Sequence, residues 1–191
     1  MTATPVIAVY DANVLYPAAL RDFLIRLARQ GLVSARWSSV IHEEWIRNLL
    51  INRPDLTREQ LERTRRLMDA AVPGAVVEGF ERHMADITLP DPDDRHVLAA
   101  AIEAEAEAIV TFNTRDFPRR AVARYGIEVR RPDAFVLDLL GRHPEEVYAV
   151  ARRHRSELRK PPRTVEQYLD HLSQSGLKRS AEYLREAGVD L

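Results

Sequence analysis

Two kinds of hydrophobic spacing alternate along the first two-thirds of the chain. "VIAVY" (Val6–Tyr10) is a continuous apolar run of strand length, with no polar side to face water. Such a run suits a parallel strand covered on both faces. "LVSARW", "AVVEGF" (75–80), "AIVTF" (108–112) and "IEVR" (127–130) are predicted as further strands. Between them apolar residues recur three and four apart. Leu20, Phe23, Leu24 and Leu27 predict a helix over 17–29, with Gly31 as its stop. Ser38 or Ser39 caps a helix to about Ile51, and Thr57 with Gln60 forms a capping box for a helix through Ala71. Another helix is expected from Asp93 to about Ala106. Strands alternating with helices predict a parallel sheet joined by right-handed crossovers. After Arg131 only helical spacing remains, over 134–140, 144–158, 165–172 and 181–187. The expectation is an α/β fold, a central parallel sheet between helices over residues 1–131, followed by an all-helical extension over 132–191.

Composition narrows the chemistry. Hydrophobic residues make up 46% of the 191 positions, enough for a sizeable core, and the 30% of charged residues argue against wholesale disorder. The net charge of -1 gives no global attraction to nucleic acid, so a basic binding surface would have to be local. The absence of cysteine excludes disulfides, thiolate metal sites and a cysteine nucleophile, and it fits the cytoplasm. No signal peptide is expected from "MTATPVIAVYD", and no apolar run approaches the roughly 20 residues of a membrane span.

The candidate chemistry is acidic. Asp11 directly follows the first strand, and Asp116 lies just past "AIVTF". Asp91 and Asp94 stand at the start of a helix, and Glu43 and Glu44 on the helix after the second strand. A parallel sheet brings all its strand C-termini to one edge, where ligands bind in open α/β folds. Carboxylates gathered there repel one another and raise each other's pKa unless a cation compensates. A hard divalent ion such as Mg²⁺ or Mn²⁺ does so. Each acid also has a purely local reading. Asp11 can cap the next helix, Asp91 to Asp94 make a good helix start with Pro92 at its first position, and Asp116 can cap a short helix after it. Glu43 and Glu44 flank opposite sides of an apolar stripe, and periodicity alone favours a solvated face over a ligand for Glu44. The six histidines show no zinc-site spacing, and His96 is expected to face away from Asp94 on a helix, as a structural or surface residue. A Walker loop, G-x-G-x-x-G and G-x-S-x-G are all absent.

Three stretches then carry a resemblance: "VIAVYDANVLYPAALRD", "SSVIHEEWIRNLL" and "LPDPDDRHVLAAAIEAEAEAIVTFNTRDF". They resemble the PIN-domain family, and within it the ribonuclease toxins of VapBC type, over about Val6 to Arg131. The resemblance implies a PIN-like three-layer fold in which four acids hold Mg²⁺ or Mn²⁺ at the carboxyl edge of the sheet. Carried over, these are Asp11, Glu44, Asp94 and Asp116. Glu44 is chosen over Glu43 because the family's second acid precedes a turn like "EWIRNL". Asn13 and Asn113 match accessory polar positions, and Asp91 an accessory acid. The implied activity is an endoribonuclease leaving 5′-phosphate and 3′-hydroxyl ends. The implied partners are RNA, a cognate antitoxin and a second copy of the chain. Residues 52–90 are longer than in minimal family members.

Alternatives remain within and outside the family: a PIN nuclease of RNA processing or acting on DNA, and a non-catalytic PIN module. A haloacid-dehalogenase-type phosphatase needs a second aspartate where Asn13 stands, and no lysine precedes Arg159. In the extension, basic residues outnumber acids eight to five between Arg131 and Arg163. Arg152, Arg153, Arg155, Arg159 and Lys160 are candidates for an RNA phosphate surface, against the alternative of a solvated helix face.

Overall fold

The computed structural model describes residues 4–159, 161–188 and 191. Five parallel strands form its sheet: β1 (Val6–Tyr10), β2 (Val33–Ser38), β3 (Val76–Val77), β4 (Ala108–Val110) and β5 (Glu128–Arg130). Their order is β3-β2-β1-β4-β5. The chain winds outward from β1 through β2 to β3, then returns to place β4 on the other side of β1. The sheet's topological switch therefore lies between β1 and β4, where Ala8 pairs with Ala108 and Tyr10 with Val110. Ala8, Val9 and Tyr10 are all fully buried, so both faces of the central strand are covered, as the unbroken apolar run predicts.

The covering helices of the first two-thirds are α1 (Ala12–Leu15), α2 (Ala18–Arg29), α3 (Ser39–Asn52), α4 (Arg58–Ala71), α5 (Arg95–Glu103) and α6 (Arg119–Val122). Ser38 caps α3, and Thr57 with Gln60 closes the expected box on α4. In α5 the buried Ala99, Ala100 and Ala101 let the helix lie close against the sheet. Two elements differ from expectation. "AVVEGF" pairs only through Val76 and Val77, because Gly79 turns into the left-handed region at φ 75° and starts a 3-10 helix over Phe80–Asp86. The helix expected from Asp93 splits into a 3-10 turn, Pro92–Asp94, and then α5.

A buried polar knot ties α3 and α4 to β2. The Trp45 indole donates to His42 Nδ1 (3.0 Å), so the proton of His42 sits on Nε2, 3.0 Å from Asp69 Oδ1. That oxygen also accepts from Trp37 Nε1 at 2.8 Å. Burial holds the His42 pKa below its ordinary range, despite Asp69.

The extension comprises α7 (Pro132–Arg142), α8 (Pro144–Glu157), α9 (Val165–Gln174) and α10 (Lys178–Glu186). It is laid against the sheet domain. Phe135 of α7 packs edge-on to Tyr10. His154 of α8 stacks on Phe23 of α2, with Nε2 3.0 Å from Asp22 Oδ2 and Nδ1 3.1 Å from the Tyr168 hydroxyl. Arg26 of α2 bridges Asp22 (3.1 Å) and Glu157 of α8 (2.7 Å). Asp133 caps α10 from α7, accepting from the amides of Arg179 and Ser180 and from the Ser180 hydroxyl. No helix among the described residues is long and apolar enough to cross a membrane.

Candidate active site

Asp11 leaves β1 at the switch point and is only 3% exposed. One of its oxygens accepts from the amide of Ala12 (2.7 Å), so the local capping role is real. The other does something a cap does not require. It accepts from Asn13 Nδ2 (2.7 Å) and from the Thr111 hydroxyl (2.6 Å) at the end of β4. Asn13 spans the switch, since its Nδ2 also donates to Thr111 Oγ1 (2.9 Å) and its Oδ1 accepts from the Phe112 amide (3.0 Å). The short α1 behind it is clamped at its far end by Arg21, whose guanidinium donates to the carbonyls of Leu15 and Tyr16 and lies over the Trp45 ring.

In front of this floor opens a cleft of about 980 Å³, lined by Glu43, Glu44, Asp91, Asp93, Asp94 and Asp116 together with His96 and Asn113. Asp11 and Asn13 lie behind its wall. Asp94 carries the electrostatic signature of the site. Partial burial, and then the charges of Asp11, Asp116, Asp91 and Glu44, push its pKa up to about 7. Asp11 is raised too, first by burial and then by Glu44, against the hydrogen bond from Thr111. Both shifts mean that these carboxyls hold a proton more readily than they would in water, and the part due to neighbouring acids is the part another cation would also relieve. Among the described residues no three His, Cys, Asp or Glu side chains are already drawn into a ligand cluster. The donor set is nonetheless all carboxylate oxygen with surplus negative charge, which suits Mg²⁺ or Mn²⁺ and not a soft metal.

The two glutamates on α3 part company. Glu43, on the cleft wall, is paired with Arg58 at 2.6 Å, which brings its pKa down. Glu44 has its Oε2 3.3 Å from His96 Nε2, and its charge bears on Asp11 and Asp94. Asp116 reaches the cleft on a turn closed by its own amide and the Asn113 carbonyl (3.1 Å), and it does not cap α6, whose N-cap is Pro118. Asp91 does cap its turn, accepting from the Asp93 amide at 2.9 Å, while adding to the charge on Asp94.

His96 is buried, as a structural residue would be, but it also lines the cleft, with its ring against Glu44 of α3. Thr111 and Phe112 are also contributors that spacing along one element does not reveal. Among the described residues, none of the basic candidates in the extension lines the cleft. Arg155 donates to the carbonyls of Leu191 and Arg163, and Arg153 pairs with Glu157. Arg159 is exposed, and Lys160 lies outside the described residues. A second cavity, about 560 Å³, opens at the opposite edge beside Val6, Leu32 and Glu128, where Arg130 is neutralised by Glu128 and Asp138.

An open parallel sheet with an acidic cleft at its carboxyl-edge switch point defines the class. The chain belongs to the PIN domain family, whose profile matches residues 8–115. A second profile, the VapC50 C-terminal domain, matches residues 132–186. The chain is also 42% identical over 81 residues to a curated protein of Mycobacterium tuberculosis (strain ATCC 25618 / H37Rv) named "Putative ribonuclease VapC50". That match covers 42% of this chain and 48% of the relative, about half its length. No solved structure matches the chain.

Proposed function

We propose that this protein is a Mg²⁺- or Mn²⁺-dependent endoribonuclease, the toxin of a VapBC-type pair, hydrolysing RNA to 5′-phosphate and 3′-hydroxyl ends. The observation that carries this is the gathering of Glu44, Asp91, Asp94 and Asp116 in one cleft at the sheet's switch point, where burial first, and then the neighbouring acids, raise Asp94 to about 7. Asp11, Glu44, Asp94 and Asp116 are the residues that would hold the ion. When bound, such an ion supplies Lewis-acid stabilisation and an activated water. The rest is the chain's own work. Asn13 and Thr111 fix the Asp11 carboxylate by hydrogen bonds, and His96 stands against Glu44. Arg47 and Arg65 on the cleft wall attract the phosphate backbone, and Asn113 stands at the rim for a substrate hydroxyl or base. The relative's name supports a ribonuclease, and the family supports an antitoxin that covers the cleft, a homodimer and a cytoplasmic setting. Residues 1–131 form the nuclease unit in this proposal and 132–191 its helical companion.

The test is to incubate the protein with single-stranded RNA and DNA of one sequence, with Mg²⁺, Mn²⁺ or EDTA, and to map the ends. Cleavage of RNA alone, abolished by EDTA and restored by either ion, is the expected result. Cleavage that ignores EDTA removes the metal from the proposal, and cleavage of DNA alone replaces the substrate.

A further inference from the structure

At Gly176 the extension meets Phe112, the residue after Thr111 of the candidate site. Helix α9 ends in a Schellman turn, with the Gly176 amide donating to the Ser173 carbonyl and the Leu177 amide to that of Leu172. Gly176 has φ +102°, and a methyl group on it would sit 2.6 and 2.8 Å from Cζ and Cε1 of Phe112. Carbon atoms rest comfortably at about 3.5–4.0 Å, so nothing larger than hydrogen fits without moving the ring. The Phe112 amide in turn donates to Asn13 Oδ1, and Asn13 donates to Asp11. The turn is braced from the other side by the Asp133 cap on α10.

We propose that the turn between α9 and α10 is a positioning element of the nuclease site: the bare backbone of Gly176 holds the Phe112 ring, and this fixes the Asn13 amide that orients Asp11. This rests on the nuclease reading above. It gives the extension a task in turnover that needs no RNA contact.

The test uses the full chain and a matched control. Gly31 ends α2 in the same kind of turn, with φ +80° and nothing within 4 Å of the added methyl. Gly31→Ala and Gly176→Ala thus both strain a left-handed turn, more so at Gly176, and only Gly176→Ala adds the ring clash, which the Phe112→Leu double variant below isolates. Two readouts are taken: kcat and KM on single-stranded RNA, and hydrogen exchange of the residue-112 amide in the metal-free protein. Gly176→Ala is expected to speed that exchange about tenfold relative to Gly31→Ala and to lower kcat about tenfold with KM within about twofold, since small misplacements are felt strongly in turnover. Adding Phe112→Leu to Gly176→Ala recovers most of the lost kcat. Should Gly176→Ala fail to fold, Phe112→Leu alone loosens the same contact, and a several-fold lower kcat at constant KM is expected. Gly176→Ala matching Gly31→Ala in both readouts, a double variant that recovers nothing, or Phe112→Leu with wild-type kcat and exchange each overturns the proposal. Asp11→Asn in the same assay separates the two readings. Full activity in it removes the nuclease site, whereas an inactive Asp11→Asn beside a wild-type Gly176→Ala removes only the positioning role.

Discussion

The carboxyl edge of the sheet and the seam between α2 and α8 both withdraw carboxylates from water, and they do so to opposite effect. In the seam Asp22 has partners inside the fold. Burial opposes its charge, but His154 and Arg26 outweigh burial and hold its pKa below the ordinary carboxyl range. At the edge burial likewise opposes the charge of Asp94, and the acids around it add to burial instead of offsetting it, so its pKa is pushed up to about 7. An acid placed beside cations is a fastening. An acid placed beside acids leaves the fold short of positive charge, and that shortage is what a site for an external cation requires.

The sharpest way to break this contrast is to remove one charge from each region. Asp11→Asn is expected to lower RNA cleavage on the order of 10³-fold, the scale of losing a key electrostatic group, with the fold intact by circular dichroism. Asp22→Asn is expected to keep cleavage and to lower stability by roughly 1 kcal/mol after solvent screening, seen as a lower Tm. Within α3 the same logic predicts that Glu44→Gln cripples cleavage and Glu43→Gln, which loses only an exposed partner in Arg58, barely matters. An inactive Glu43→Gln beside an active Glu44→Gln reverses the assignment.

A smaller effect is expected in the pH dependence of the metal-free protein, and its sign differs between the regions. Asp94 has its native pKa raised from 3.8 to about 7, so the native state binds the extra proton. Its stabilisation is full below about 4 and is lost as pH rises through about 7. Asp22 is lowered, so its contribution is present above 3.8 and is lost as pH falls through the native pKa. Thermal melts in EDTA should therefore gain stability from pH 7 down to about 4, by roughly 1 kcal/mol from Asp94 after solvent screening. Below that range stability should fall. Asp94→Asn flattens the first limb and Asp22→Asn the second. Mg²⁺ or Mn²⁺ raises the wild-type Tm at neutral pH by mass action, and Asp94→Asn loses this response. A metal-induced shift of wild-type size in Asp94→Asn places the ion elsewhere.

The least effect is expected from the basic face of the extension. Replacing Arg152, Arg153 and Arg159 by Ser should leave the slope of log affinity against log salt nearly unchanged, because Arg153 already serves Glu157 and none of the three lines the cleft. A slope reduced by about 0.7 for each residue would restore them as phosphate contacts.

What the sequence disclosed follows from the range over which each signal acts. Val6–Tyr10, the Thr57–Gln60 box and the helical spacing of the extension are local, and all recur in the fold. Asp11 was legible because a polar residue after an unbroken apolar run marks a strand end. Thr111 was not, because its bond to Asp11 exists only once β4 lies beside β1, a pairing across 100 residues. His96 was legible as a structural residue, whereas its approach to Glu44 was not, because Glu44 comes from α3, a different element. The density of arginine in the extension was visible, whereas the carbonyls that occupy Arg155 come from distant backbone.

The knot around His42 has an optical consequence. The chain has two tryptophans, Trp37 and Trp45, and both are fully buried there. The extension holds no tryptophan, and its tyrosines stand at 148, 168 and 183. Indole emission therefore reports on the neighbourhood of β2 and α3, the helix that carries Glu44, and is silent about α7 to α10. Far-ultraviolet dichroism, by contrast, sees every helix. Followed together on one sample, the two signals act as a built-in ruler of whether the sheet domain and the helices laid on it melt as one body.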